Sequence, residues 1–214
     1  MRKRKDFKRI EGVKSSRLIV IVAEGRATEN IYFEAMRQEL CASNVQLVVL
    51  NREDDNSSPA NVHRQLKAFI DEYNIQEDDQ LWVIIDRDDW KEKMLAEVAQ
   101  LCQQNDNLRF CMSNPCFELW LILHLEDVMA YCDEDKQSLL ENPRISTHGT
   151  WTKYRLRQLM GHYQEADYNP YQLLPHISTA IERAELMDTN PKDRWPQGIG
   201  TRVYLLAKSI MNKE

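Results

Sequence analysis

No stretch of this 214-residue chain approaches the ~20 consecutive apolar residues that a bilayer span requires. The basic N-terminus is not followed by an apolar segment, so no secretory signal peptide is expected. The five cysteines, Cys41, Cys102, Cys111, Cys116 and Cys132, are odd in number and include no C-x-x-C pair. That argues against a disulfide framework or a zinc site and for reduced thiols in a cytoplasmic protein. Internal repeats and low-complexity linkers are also lacking. What remains is the composition of an ordinary globular chain, 43% hydrophobic and 29% charged.

The net charge of −6 hides an asymmetry. Residues 1–17 carry eight basic and two acidic side chains, a balance of +6, which leaves −12 for the remainder. A basic arm on an acidic body can contact phosphates, with Arg2, Lys3, Arg4 and Lys5 as the candidate nucleic-acid contacts. A solvated tail is the plainer reading of the same charges.

Strand and helix signals alternate through the first half. Leu18–Ala23 is a continuous apolar run, the pattern of a strand covered on both faces. Tyr32, Ala35, Met36 and Leu40 follow at helical spacing, with Thr28 as the expected N-cap. Val45–Leu50 reads as a second strand. Ser58 and Pro59 open a second helix whose stripe is Val62, Leu66, Phe69, Ile70 and Tyr73. Leu81–Ile85 is a third strand, Met94–Cys102 a third helix and Leu108–Met112 a fourth strand. Four strands separated by helices predict a parallel α/β sheet with right-handed crossovers. The second half reads as helices near Pro115–Leu125, Trp151–His162, His176–Met187 and Thr201–Met211, with loops over 133–150 and 188–200.

Charge collects at the strand ends. Glu24 closes the first strand, and Asp86, Asp88 and Asp89 follow the third. Alternation points Asp86 and Asp88 one way and Arg87 the other. First and third strands are commonly neighbours in such sheets, which brings Glu24 to the aspartate pair. At ~5 Å and an effective dielectric of ~20, each like-charge pair costs about 3 kcal/mol. Protonation of one member or a bound cation offsets that cost. Carboxylate donors without His or Cys favour Mg²⁺ or Mn²⁺. A third carboxylate beside the metal acts as a ligand or as general acid/base, the shape of a phosphodiester-cleaving centre. A single aspartate after a strand would instead read as a helix cap. In SNPCFELWLILHL, Asn114 and Pro115 are the expected start of a buried helix. Glu118 either pairs with a basic side chain or joins the acidic site, and His124 reads as a satisfied core histidine.

The blocks LIVIVAEGRATENIYF, VIIDRDDW and SNPCFELWLILH, in that order, resemble the RloB-like family, linked to the Toprim superfamily. The resemblance spans roughly residues 18–125, and AIERAELMD with GTRVYLLAKSI looks like the family's helical tail. Gly198-Ile199-Gly200-Thr201 departs from the Asn-Pro-Ser/Thr usual before the last helix. The resemblance implies a Toprim-like, Rossmann-like core over residues 18–125 and a helical region over 126–214. It matches Glu24 to the Toprim glutamate and Asp86 and Asp88 to its metal pair. It implies an Mg²⁺- or Mn²⁺-dependent nuclease, an antiphage effector working with an ATPase from the same locus. Glu118 is a further catalytic candidate, and Arg26 and Arg87 are candidate phosphate contacts.

A non-catalytic module that binds an ATPase or nucleic acid is the alternative. A sugar-nucleotide transferase would use D-x-D but leaves Glu24 unexplained, and a haloacid-dehalogenase phosphatase would need Thr where Trp90 stands. No tyrosine nucleophile can be assigned, and the substrate (DNA, RNA or tRNA) and oligomeric state stay open.

Overall fold

Two apolar runs too regular to face water on either side form the middle of the sheet. The computed structural model of the chain describes residues 4–9, 16–25, 27–51, 58–87, 90–147 and 149–213. Its strands are β1 (Lys5–Asp6), β2 (Arg17–Ala23), β3 (Val45–Leu50), β4 (Tyr73–Asn74), β5 (Gln80–Asp86), β6 (Leu108–Asn114), β7 (Arg144–Ser146), β8 (Gly149–Thr150) and β9 (Gly200–Thr201). Its helices are α1 (Thr28–Glu39), α2 (Pro59–Glu72), α3 (Glu92–Gln103), α4 (Glu118–Leu125), α5 (Asp133–Glu141), α6 (Trp151–Met160), α7 (Ile177–Met187) and α8 (Val203–Met211).

The main sheet runs β3-β2-β5-β6-β9. The four longer strands are parallel, as their apolar runs predict, and β9 adds antiparallel to β6. The first and third long strands, β2 and β5, are neighbours, with Ala23 opposite Ile84. The period of two sorts their side chains between two cores. Ile19, Ile21, Trp82 and Ile84 pack with α1, α4 and the C-terminal helices. Leu18, Val20, Val22, Leu81, Val83 and Ile85 pack with α2 and α3. Leu18 through Val22 are wholly buried, each contributing roughly 1.5–3 kcal/mol. The mixed, mostly parallel sheet is Rossmann-like, and its carboxyl edge is where β2, β5 and β6 all end.

Several boundaries differ from the sequence reading, each because a long-range contact prevails. α4 begins at Glu118 rather than Pro115. Asn114 is the last residue of β6, the Asn114–Pro115 bond is cis, and the Asn114 amide donates to Gln197 O and Gly198 O. Thr28 is already helical, and its hydroxyl donates to Glu165 O instead of capping α1. Gly200–Thr201 is a strand rather than a helix start, because Ser113 and Thr201 share a buried hydroxyl hydrogen bond of 2.8 Å. The expected loop over 133–150 contains α5 and the β7–β8 hairpin.

The described part of the basic arm is docked. β1 pairs parallel with β4, and Phe7 packs on Phe69 and Tyr73. Arg9 reaches Asp79 at 2.5 and 2.7 Å, where Asp79 also accepts from the Leu18 and Gln76 amides.

Candidate active site

The carboxyl ends of β2 and β5 set two acids side by side. The ladder continues past β2, with Glu24 N donating to Ile84 O at 2.9 Å. The Glu24 carboxylate then folds over the end of β5. It accepts from Asp86 N at 3.3 Å and from the Trp90 indole N–H at 2.6 Å. Trp90 belongs to the α2–α3 side of the sheet. Asp86 follows Ile84 in the alternation, so its carboxylate lies toward α1 and α4. The hydrogen bond between the two residues thus runs from the Asp86 backbone amide to the Glu24 carboxylate.

Between these strands and α1 stands a third acid. Glu29 lies in the first turn of α1, where the helix macrodipole favours negative charge, and is only 3% exposed. Gly25 N donates to its Oε1 at 3.1 Å. A Cβ on residue 25 would sit 2.1 Å from Glu29 Oε2, so glycine is what lets the carboxylate lie against the strand end. Burial pushes the Glu29 carboxyl up from 4.5 to about 7. The Glu118 and Glu24 charges add to that rise, and the Gly25 amide acts against it.

The roof comes from the second half of the chain. Residues 163–168 cross the start of α1, pinned where the Tyr168 hydroxyl donates to Thr28 O at 2.7 Å. That crossing brings the Tyr163 hydroxyl to Glu118 Oε1 at 3.1 Å in a buried contact. Lys153 of α6 ion-pairs with Glu165. Burial alone would lower the Lys153 ammonium, yet Glu118 and Glu165 hold it above its ordinary value and therefore charged. Asn142, in a left-handed conformation, sets the height of α6: its Oδ1 accepts from the Thr152 amide and hydroxyl, both at 3.0 Å.

These elements enclose a cleft of about 550 Å³. Glu29, Asp86, Arg87, Glu118, Lys153 and Glu165 are among the side chains lining it. The Arg87 guanidinium is anchored on Trp90 O at 2.9 Å. Of the residues expected from sequence, Glu24, Asp86, Arg87 and Glu118 gather at this end of the sheet. Asp88, Arg26, Arg2 and Lys3 lie outside the described residues. Arg4 and Lys5 sit elsewhere, in ion pairs with Asp71 and Glu72 of α2. His124 is a core histidine, as read: its ring nitrogens meet Trp120 O at 2.8 Å and the Tyr32 hydroxyl at 3.0 Å. Burial lowers it to about 4.

Among the described residues, no three His, Cys, Asp or Glu side chains form a ready cation cage. The donor type nevertheless fits a hard divalent ion, since the acids offer only oxygen. Burial first, and then the Glu118 and Glu24 charges, disfavour a charged Glu29, and a bound cation would offset that cost.

The sequence reading missed Glu29, Lys153, Tyr163 and Glu165. Glu29 had a local signal, an acid in a first helical turn five residues after Glu24. The others had none, being 35 to 47 positions from Glu118 in the chain and joined to it only by packing.

Against known proteins, a family model described as RloB-like protein matches residues 19–210. No curated protein and no solved structure matches the chain.

Proposed function

Because the chain belongs to the RloB-like family, we propose that its cleft is the centre of a divalent-metal-dependent nuclease. The observation that carries this reading is the convergence of Glu24, Glu29, Asp86 and Glu118 on one end of the sheet, beside an open cleft that also holds Lys153. Helix ends would account for Glu29 and Glu118, each in a first helical turn, but not for Glu24 and Asp86 at the ends of β2 and β5.

Asp86 would hold the Mg²⁺ or Mn²⁺ from the cleft wall, with Glu29 beside it and Asp88 and Glu24 as further oxygen donors. Bound there, the ion supplies Lewis-acid stabilisation of charge on the scissile phosphate and a more acidic water. Without the ion Glu29 keeps its proton up to about pH 7, and an ion bound beside it would favour the carboxylate, so metal uptake is expected to release a proton. Glu118 is oriented by the Tyr163 hydroxyl, which fixes where its carboxylate can accept a proton. Lys153 stays charged and supplies a counter-ion for a non-bridging phosphate oxygen. Arg87, which lines the cleft, is a phosphate contact, and Arg26 is a second candidate from the sequence. The substrate is nucleic acid, and the physiological setting is antiphage defence with an ATPase partner.

The test is cleavage of mixed DNA and RNA in millimolar Mg²⁺ or Mn²⁺. Asp86→Ala and Glu24→Ala are expected to lose activity at least a hundredfold while keeping the fold. Full activity in either variant overturns the assignment.

One observation favours a second reading. The Glu24 carboxylate already receives two donors, Trp90 Nε1 and Asp86 N, and can be accounted for as a structural clasp. In that case the chain is a non-catalytic module for an ATPase or nucleic acid. Calorimetry separates the two, since the module shows no heat with millimolar Mg²⁺ or Mn²⁺ and the nuclease does.

A further inference from the structure

A second concavity of about 520 Å³ adjoins the acidic cleft. The two share Lys153 and Glu165, so the surface is continuous from the strand ends outward over α6. The character of the lining changes along that path. The cleft is walled by Glu29, Asp86, Glu118 and Glu141 with Arg87, whereas the outer groove is lined by Lys153, Arg157 and His162 with the acid Glu165, and Asp167 pairs with His162 beside it.

The backbone is shaped around these basic side chains. Lys153 and Arg157 are one helical turn apart on α6, hence on the same face. The β7–β8 hairpin turns beside them at Gly149, whose φ is +132°. A Cβ there would lie 3.2 Å from Lys153 Cδ and 3.3 Å from Arg157 Nη2. α6 then ends at Gly161, with φ +76°, which turns the chain at once and leaves His162 at the groove's far end, 3.0 Å from Asp167.

We propose that the Lys153–Arg157–His162 groove is the track for the phosphate backbone of a nucleic-acid strand whose scissile bond lies in the acidic cleft. Phosphates leaving the cleft on this side meet Lys153 first, Arg157 next and His162 last. The contacts are to backbone, so the track positions a strand without reading its sequence. The inference rests on the nuclease reading for the cleft, but its own test does not require cleavage.

The experiment measures binding of a fluorescein-labelled 20-nucleotide single strand to the full chain by anisotropy, in EDTA, from 50 to 300 mM salt. Arg157→Gln is expected to weaken binding roughly tenfold at low salt and to reduce the slope of log K against log salt by about one. His162→Glu, at an exposed position whose side chain pairs with the exposed Asp167, is expected to weaken binding by a similar factor through repulsion, with an unchanged melting temperature as the check on the fold. Both variants are expected to keep wild-type rates on bis(p-nitrophenyl) phosphate, a diester too small to reach the groove. Wild-type affinity and slope in His162→Glu and Arg157→Gln overturn the track, as does failure of the wild-type chain to bind at 50 mM salt. Loss of small-diester cleavage in Asp86→Ala without change in these slopes concerns the cleft alone. A wild-type chain that binds with the expected slopes but never cleaves removes the nuclease reading and leaves the track standing as a binding surface.

Discussion

Replacing Glu29 by Gln should make the protein more stable above neutral pH, which is unusual for a buried side chain in a polar site. The magnitude follows from the carboxyl's shift from 4.5 to about 7, caused first by burial and then by Glu118 and Glu24. Below pH 4.5 the group is protonated in both folded and unfolded chains and costs nothing. Between 4.5 and 7 the unfolded chain releases the proton while the folded chain keeps it, so stability falls by about 1.4 kcal/mol per pH unit. Above 7 the loss levels off at about 3 kcal/mol. Gln is nearly isosteric and carries no charge, so Glu29→Gln removes this penalty, less whatever the altered Gly25 hydrogen bond is worth. The assay is urea denaturation of both proteins at pH 5 and pH 8 in EDTA. The variant is expected to gain about 2–3 kcal/mol on the wild type in going from pH 5 to pH 8. The difference is the informative quantity, because His124 imposes an opposing trend on both proteins. Millimolar Mg²⁺ at pH 8 should then stabilise the wild type more than the variant. A variant that shows the same pH dependence as the wild type would refute the placement of Glu29 among buried carboxylates.

The His124 effect is itself a prediction. Its folded value is lowered from 6.5 to about 4, so it contributes stability above pH 6.5 that is lost as pH falls toward 4. In the Glu29→Gln background, denaturation midpoints should therefore drop steadily from pH 7 to pH 4, and replacing His124 by Gln should flatten that slope. Arg9→Ala should cost about 3 kcal/mol in urea denaturation, because it strands Asp79, which is 1% exposed, without its cation. Gly25→Ala should fold but displace the Glu29 carboxylate, since the new methyl and Glu29 Oε2 cannot coexist at 2.1 Å. Its readout is loss of the Mg²⁺-dependent stabilisation with a melting temperature within a few degrees of wild type. Trp90→Phe should release the Glu24 carboxylate from its 2.6 Å indole bond and lower the rate of nucleic-acid cleavage without abolishing it.

What the sequence settled by itself was the sheet and the address of its acids. LIVIVA and LWVII are apolar at both parities, which only strands covered on two faces tolerate, and Glu24 and Asp86 stand where those runs stop. That information is local, because burial of a strand is written in consecutive residues. Asn114, Thr28 and Thr201 were misread for the converse reason. Helix starts are judged by neighbouring residues, but these three satisfy partners at Gly198, Glu165 and Ser113, far away in the chain. Only the tertiary structure decided that Glu29 would face Glu118 and Glu24, that Tyr163 and Lys153 would close the cleft, and that Arg4 and Lys5 would be spent on α2. A side chain's charge state and partners depend on what packing brings within a few ångströms of it, and no periodicity along the chain records that.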